Sequence, residues 1–150
     1  MSIKIIADNK KARFDYEIVE TYEAGLSLMG SEVKSLRDGS IRLKDSFVAI
    51  VGDELFLQNA HISIYQASSY NNHEPERKRK LLLHRYEIDK IERAMNEKGL
   101  TCVPTKIYWK NGRAKLEIGL AKGRKRHDKR EVIKKRDVNR DLRQQLKKTR

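Results

Sequence analysis

The chain has 150 residues, of which 38% are hydrophobic and 37% charged, so it has the size of one domain and too many apolar residues to be wholly disordered. The net charge is +13, and residues 123–150 contribute +9 of it, with 13 Lys and Arg against 4 Asp and Glu. This uneven charge favours a polyanionic partner: nucleic acid, an anionic membrane surface or an acidic protein.

Membrane insertion and disulfide bonding are both disfavoured by the sequence. Its apolar runs stay far below the roughly 20 residues that span a bilayer, and Lys4 comes too early for a secretory signal. We therefore expect a cytoplasmic protein. Cys102 is the single cysteine, so an intramolecular disulfide and a thiolate metal cluster are excluded. We expect it to be a buried, unreactive thiol.

The first strand is predicted at residues 13–18, where Phe14, Tyr16 and Ile18 alternate with charged or polar residues. One face of this strand would then be buried and the other exposed. A short helix is expected to follow at residues 31–37, because its apolar residues recur at helical spacing before a turn.

Two β-hairpins are predicted from their turns. Residues 47–57 contain two apolar runs that flank Gly52, and a glycine there can adopt the positive φ that tight hairpin turns require. Residues 105–121 contain a clearer hairpin, since Asn111 and Gly112 form the strongest short turn signal between two strands.

The segment between the hairpins divides into a loop and a helix. Residues 70–79 are polar and without period, which is typical of an exposed loop. Residues 86–98 carry apolar side chains at helical spacing, and Gly99 follows as a C-cap.

Short antiparallel strands with an inserted helix indicate a β-rich α+β fold, and we expect an OB-fold-like antiparallel barrel with flanking helices. The predicted organisation is a barrel domain at residues 1–122 and a basic tail at residues 123–150 that is disordered alone. The tail has a narrow apolar stripe of Val138, Leu142 and Leu146, which could become ordered on a partner.

Catalysis and cofactor binding find little support. The four histidines, His61, His73, His84 and His127, are scattered, and the glycines fit neither the P-loop nor the dinucleotide-binding spacing. We expect no metal, no cofactor and no nucleotide hydrolysis. A metal-free ribonuclease using histidines as general acid and base stays a weaker alternative.

Basic and aromatic residues allow two interpretations. The run at residues 121–130 is either a solvated surface or a phosphate-binding segment. Exposed aromatic rings could stack on bases, although a position in the core is the better expectation. These aromatic residues are Tyr22, Tyr65, Tyr70 and Trp109.

A series of short motifs matches one family pattern in order along the chain. The motifs are NKKAR (9–13), EAGL (23–26), GSEVKSLR (30–37), DSF (45–47), RKLLLH (79–84), VP (103–104), YW (108–109), LAKG (120–123) and DKR (128–130). Together they resemble the small protein B family, the bacterial partners of transfer-messenger RNA (tmRNA). Phe47 departs from the family pattern, which usually has Tyr at this position.

The resemblance implies a non-catalytic adaptor in trans-translation. It implies an OB-like body that binds the tRNA-like domain of tmRNA and replaces the missing anticodon half of a tRNA. The tail would fold as a helix in the empty messenger channel of a stalled 70S ribosome, near the 16S rRNA decoding centre. Elongation factor Tu would be an indirect partner through charged tmRNA. We expect a monomer, and a basic structural ribosomal protein that binds rRNA is the alternative.

The resemblance also assigns residues. The RNA-facing set comprises Asn9, Lys10, Glu23, Gly25, Leu82, Lys115, Lys122, Arg124 and Lys125. The ribosome-binding tail comprises His127, Asp128, Lys129, Arg130, Lys134, Lys135 and Arg136. Glu23 cannot pair with phosphate, so its expected role is to accept hydrogen bonds from base amino or imino groups or from a 2′-hydroxyl.

Overall fold

The computed structural model describes residues 3–65 and 72–123. In chain order its elements are β1 (Ile3–Asp8), α1 (Lys10–Asp15), β2 (Tyr16–Leu26), α2 (Gly30–Arg37), β3 (Ile41–Arg42), β4 (Phe47–Val51), β5 (Glu54–Gln58), β6 (His61–Ile62), β7 (Arg79–Leu82), α3 (Arg85–Glu97), β8 (Thr101–Lys110) and β9 (Arg113–Gly123). The helices within these residues are too short or too polar to cross a membrane.

Seven strands form one sheet in the order β1-β8-β9-β2-β7-β5-β4, and each neighbouring pair is antiparallel. Strands β3 and β6 pair separately in a two-stranded sheet. Register shifts interrupt the β1–β8, β2–β9 and β8–β9 ladders, and such bulges bend and twist a sheet. The predicted β-rich α+β fold with antiparallel strands and helices is confirmed.

The main core lies on one face of the sheet. Leu116, Ile118 and Leu120 alternate along β9 and are buried, as the period of two in a strand requires. Helix α3 contributes Ile88 and Ile91 to the same cluster. The intervening residues of β9 and their cross-strand neighbours point to the opposite side, which we call the outer face.

Helix α1 covers one end of the outer face. Ala12 packs there with Val103 of β8 and Ala121 of β9, and all three side chains are buried. The other end of the outer face, near the β8–β9 turn, is not part of this small cluster. The two ends of the same sheet face therefore have different environments.

The strand predicted at residues 13–18 is wrong over its first three residues, which belong to α1. Strand β2 begins at Tyr16 and continues to Leu26. The alternation of apolar residues was real, but the Asn9 side chain caps the helix by accepting a hydrogen bond from the Ala12 N–H at 3.2 Å. A helix of six residues carries too little periodicity to be separated from a strand.

Most other predicted elements are confirmed. The short helix, both hairpins and the longer helix are present as α2, β4–β5, β8–β9 and α3. Residues 72–78 contain neither helix nor strand, as expected for a loop, and residues 70–71 lie outside the described part of the chain. The predicted exposed loop is wrong at Arg79, which begins β7 and is buried, and at His73, which is buried within the loop. Four strands were missed: β1 is an edge strand with charged residues, β7 contains a buried arginine, and β3 and β6 have only two residues each, too few to show a period.

A buried ion cluster joins α2 to β7. Glu32 accepts hydrogen bonds from Arg79 Nε at 2.6 Å and from Arg77 Nη2 at 2.5 Å, and we call these three residues the Glu32 clamp. The remaining Arg79 donors reach two backbone carbonyls, at 2.6 and 2.9 Å. Burial raises the pKa of Glu32, but hydrogen bonds from Arg77, the Met29 N–H and Arg79 outweigh it and hold the pKa below its ordinary value.

Cys102 is fully buried on β8, and burial raises the pKa of its thiol to about 12. A thiol with so high a pKa forms little thiolate near neutral pH. The prediction that this cysteine is buried is confirmed; that it is unreactive stays a prediction, with which the raised pKa of the thiol agrees. Tyr22 and Trp109, for which a core position was expected, are partly buried and pack against the main cluster.

Candidate nucleic-acid interface

Three of the predicted RNA-facing residues meet where β7, β2 and β9 lie side by side. Gly25 on β2 is paired with Leu82 of β7 on one side and with Lys115 of β9 on the other. Cross-strand partners in antiparallel ladders point to the same face, so the three residues share the outer face. The sheet thus brings together positions from distant parts of the sequence.

Because Gly25 has no side chain, the surface between Leu82 and Lys115 stays unfilled. A Cβ atom built on Gly25 would lie 3.3 Å from the Leu82 Cβ, which is tighter than ordinary packing. Beside them is a shallow depression of about 300 Å³, which both residues line together with Lys115 and Trp109. Leu82 remains 52% exposed, so an apolar side chain is available to a partner at the edge of the depression.

Glu23 lies two residues before Gly25 and is already hydrogen-bonded. The Tyr108 hydroxyl donates to Glu23 Oε2 at 2.5 Å, and Lys110 Nζ lies 3.2 Å from the same oxygen. Lys110 Nζ is 3.4 Å from Oε1, so Oε1 is the less engaged of the two oxygens. The Glu23 side chain is 39% exposed, and its carboxylate is held in one orientation at the protein surface.

The pKa values follow from these contacts. The hydrogen bond from Tyr108 lowers the pKa of Glu23 most, and Lys110 lowers it further against an opposing effect of burial. Burial and the neighbouring Glu23 carboxylate raise the pKa of the Tyr108 hydroxyl. At neutral pH, Tyr108 is therefore a hydrogen-bond donor and Glu23 an ionised acceptor.

Three cations lie on the same face as this carboxylate, at or near the β8–β9 turn. Lys110 pairs with Arg113, and Lys115 pairs with Tyr108, which places all of these residues on the outer face. We call Lys110, Arg113 and Lys115 the hairpin cations. Their three positive charges exceed the two negative charges of Glu23 and its cross-strand neighbour Glu117, so the surface can attract a phosphate backbone and still present Glu23 as an oriented acceptor.

The other predicted RNA-facing residues lie elsewhere. Lys10 is exposed on α1, and Lys122 is exposed and paired with Glu17 near the end of β9. Lys122 is seven positions after Lys115 along the same strand, a distance of roughly 23 Å. The structure therefore does not bring Lys10 and Lys122 together with Gly25 and Leu82.

Asn9 has a structural role in addition to any role in binding. Its side chain is buried, its amide donates to the carbonyls of Leu43 at 3.2 Å and Pro104 at 2.9 Å, and its oxygen caps α1. These bonds tie β8 and the segment before β4 to the start of α1. That Asn9 faces RNA stays a prediction.

The remaining predicted residues lie outside the described part of the chain. They are Arg124, Lys125, His127, Asp128, Lys129, Arg130, Lys134, Lys135 and Arg136. Sequence reasoning did not assign Tyr108 or Lys110 to the site. Tyr108 belonged to a recognised motif, but its bond to Glu23 crosses 85 residues and has no local signal.

The sheet and its outer face define a class, the small antiparallel β-sheet proteins whose cationic face suits an RNA backbone. A family model described as SmpB protein matches residues 6–148. The chain belongs to the SmpB family.

Relatives agree with the family assignment over nearly the whole length. The SsrA-binding protein of Bdellovibrio bacteriovorus is 66% identical over 149 residues, which cover 99% of this chain and 98% of the relative. That of Persephonella marina is 55% identical, with 95% and 93% covered. A solved structure described as "tmRNA-SmpB: a journey to the center of the bacterial ribosome" matches with a TM-score of 0.67 at 47% identity, covering 85% of this chain and 93% of that one.

Proposed function

We propose that this chain is a non-catalytic adaptor that binds the tRNA-like domain of tmRNA and delivers it to stalled ribosomes for trans-translation. Relatives of high identity are named SsrA-binding proteins, and the matching solved structure is described as tmRNA-SmpB in the bacterial ribosome. The adaptor forms no covalent bond with its RNA. Its work is recognition and positioning.

The observation that carries the proposal is the grouping of Glu23, Gly25, Leu82 and Lys115 on one face of the sheet. Lys115 and the other hairpin cations contact phosphates and supply affinity without reading sequence. Leu82 contributes apolar contact area beside the depression that Gly25 leaves open. The four residues thus combine attraction, shape and specificity in one place.

Glu23 supplies the specificity. Its Oε1 accepts hydrogen bonds from a base amino or imino group, or from a 2′-hydroxyl, while Tyr108 and Lys110 hold Oε2. A carboxylate in a cationic surface repels phosphate, so RNA that places a phosphate there is disfavoured. Structured RNA with donors at this point is favoured over bulk RNA.

For the body we propose an OB-like barrel. The curvature of the sheet brings β4 close to β8, although the two strands stand far apart in the order of strands. Such an approach is what closure of an antiparallel sheet requires. The barrel domain comprises residues 1–122, and residues 123–150 form a separate basic tail that is disordered in the free protein.

The tail carries the second half of the function. We assign residues 123–150 to the stalled 70S ribosome, where they fold as a helix in the empty messenger channel and contact the 16S rRNA decoding centre. Arg124 and Lys125 join the RNA-facing set, together with Lys10, Lys122 and Asn9. Elongation factor Tu is an indirect partner through charged tmRNA, and the protein acts as a cytoplasmic monomer.

A competitive gel shift tests the adaptor function. The full chain is titrated against the tRNA-like domain of tmRNA at physiological salt, with bulk tRNA in excess, because cationic affinity depends strongly on salt. We expect nanomolar binding that survives the competitor and a roughly 5- to 100-fold loss on Glu23→Gln, which keeps the shape but removes the ionised acceptor. Binding that bulk tRNA erases would reduce the interaction to generic cation attraction.

A further inference from the structure

Two aromatic rings are stacked on each other and exposed at the start of α3. The ring centroids of His84 and Tyr86 are 5.5 Å apart and their planes differ by 8°, which is an offset-stacked arrangement. Tyr86 is 63% exposed, and His84 is exposed as well. A stacked pair that leaves this much ring surface uncovered can accept a further planar group.

The ring pair extends from the depression beside Gly25. Leu81 is buried and Leu83 packs against the core, whereas Leu82 and His84 between and after them are exposed. This alternation leads from the end of β7 directly to the rings. We call Leu82, His84 and Tyr86 the aromatic ridge, and it begins next to the residues that bind RNA in the proposed function.

Hydrogen bonds and an ion pair fix the backbone at His84 and Arg85, next to the two rings. The His84 N–H donates to Glu87 Oε1 at 3.2 Å. Arg85 lies between the two ring residues, donates to the Asp53 carbonyl at 2.8 Å and forms an ion pair with Asp89 at 3.1 Å. These bonds fix the backbone that carries the rings, so less conformational entropy is lost when a ligand stacks on them.

Cations follow on the same side of the helix. Lys90 and Arg93 stand four and seven residues after Tyr86, spacings that place side chains on one helical face. Both are exposed. An aromatic platform followed by lysine and arginine is the pattern with which proteins bind unpaired nucleotides, since the rings take the bases and the cations the phosphates.

We propose that His84 and Tyr86 form a stacking platform for an unpaired base of the RNA bound at Glu23 and the hairpin cations, with Lys90 and Arg93 meeting the flanking phosphates. This inference rests on the proposed function and extends its surface from the sheet to α3. An apolar protein partner would also cover the rings. The acids nearest the rings are already engaged, Glu87 by the His84 N–H and Asp89 by Arg85, so the exposed Lys90 and Arg93 favour RNA.

Substitutions of Tyr86 test the platform in the full chain. Tyr86→Leu removes the ring and keeps an apolar side chain, and we expect affinity for the tRNA-like domain of tmRNA to fall roughly tenfold. Tyr86→Phe keeps the ring and should bind as the wild type does. Ile64→Ala, another exposed apolar position after β6, is the matched control and should also bind normally. Melting temperatures of all variants should be unchanged, because these side chains are exposed.

The salt dependence separates stacking from charge. Tyr86→Leu should leave the slope of log affinity against log salt unchanged, while Lys90→Ala should make it shallower by about one. The platform would be overturned if Tyr86→Leu bound the RNA as tightly as the wild type. It would also be overturned if Tyr86→Phe lost as much affinity as Tyr86→Leu. If the wild type itself fails to distinguish the tRNA-like domain from bulk tRNA, the proposed function fails instead. Reduced ribosome association by Tyr86→Leu with unchanged RNA affinity would overturn the platform in favour of a protein partner.

Discussion

Tyr108 shows how a residue that barely reaches solvent can act on a surface site. The residue is 5% exposed, yet its hydroxyl donates to Glu23, whose side chain is 39% exposed. A group so buried cannot contact RNA over any useful area. We therefore regard Tyr108 as a positioning residue that orients Glu23.

Tyr108→Phe removes this hydroxyl and leaves the ring. We expect a roughly threefold to tenfold loss of affinity for the tRNA-like domain, because the Glu23 carboxylate gains freedom that binding must then remove. The free energy of unfolding should fall by about 1 kcal/mol, the usual value of one hydrogen bond. Gel shifts and thermal unfolding measure the two effects.

A double-mutant cycle gives this prediction its control. In a Glu23→Gln background, Tyr108→Phe should change RNA affinity much less than in the wild type, since the two residues act together. The exposed Tyr86 hydroxyl offers a comparison, because Tyr86→Phe should leave both quantities unchanged. Additive losses in the cycle would show that Tyr108 does not act through Glu23.

Among the elements, α2 and β7 are connected by the Glu32 clamp, whose charges are fully or largely buried. A buried ion cluster adds little net stability compared with an apolar replacement, but breaking it leaves unpaired charge in the core. The clamp fixes β7, and β7 carries Leu82 to the outer face. Loss of the clamp should therefore also disturb the position of Leu82 in the proposed RNA-binding site.

Glu32→Gln tests the clamp. Because the substitution leaves buried guanidinium groups without a carboxylate, we expect the free energy of unfolding to fall by about 3 kcal/mol or more. The measurement is chemical unfolding at neutral pH, and Glu54→Gln, which removes an exposed carboxylate 3.8 Å from Lys80, is the matched control with little expected effect.

The difference in unfolding free energy between the wild type and Glu32→Gln should depend on pH, and the pKa of Glu32 gives the direction. The pKa of Glu32 lies below its ordinary value of 4.5 in the folded chain, so the unfolded chain binds a proton more readily. The stability that the ionised form contributes is complete above pH 4.5 and is lost as the pH falls through the lower folded pKa. The difference in unfolding free energy between wild type and Glu32→Gln should therefore narrow in acid. A difference that stays constant down to pH 3 would contradict an ionised Glu32.

At the scale of the whole molecule, the proposed division of labour between body and tail makes a prediction. Removing residues 126–150 should preserve most specific binding to the tRNA-like domain, because Glu23, Leu82 and the hairpin cations remain. Rescue of stalled ribosomes in a reconstituted translation reaction should be abolished. The melting temperature of the truncated chain serves as the control, and a loss of folding would show that the two parts are not separate.

Local signals explain how much of the fold was predictable. Three elements were predicted correctly from signals that span only a few neighbouring residues. These signals are the Asn111-Gly112 turn, the apolar spacing of α3 and the glycine of the β4–β5 turn. Helix α1 was predicted as a strand because it has only six residues, too few to show a helical period. Its distinguishing feature is the hydrogen bond from the Ala12 N–H to the Asn9 side chain, which the apolar alternation does not reveal. Strand β7 was not predicted because its first residue, Arg79, is charged and yet buried. The Glu32 side chain that stabilises it there is 47 residues away, so nothing in the neighbouring sequence indicates the contact.

The amino-acid sequence by itself determined the family resemblance, the uneven charge and those elements whose turns and caps are local. The tertiary structure alone decided that Gly25 lies between Leu82 and Lys115, that Tyr108 holds Glu23 and that the aromatic ridge begins beside them. The physical reason is that strand register is set by burying one face of the complete sheet. A shift of one residue would turn the strand residues Glu23, Leu82, Tyr108 and Lys115 to the other face.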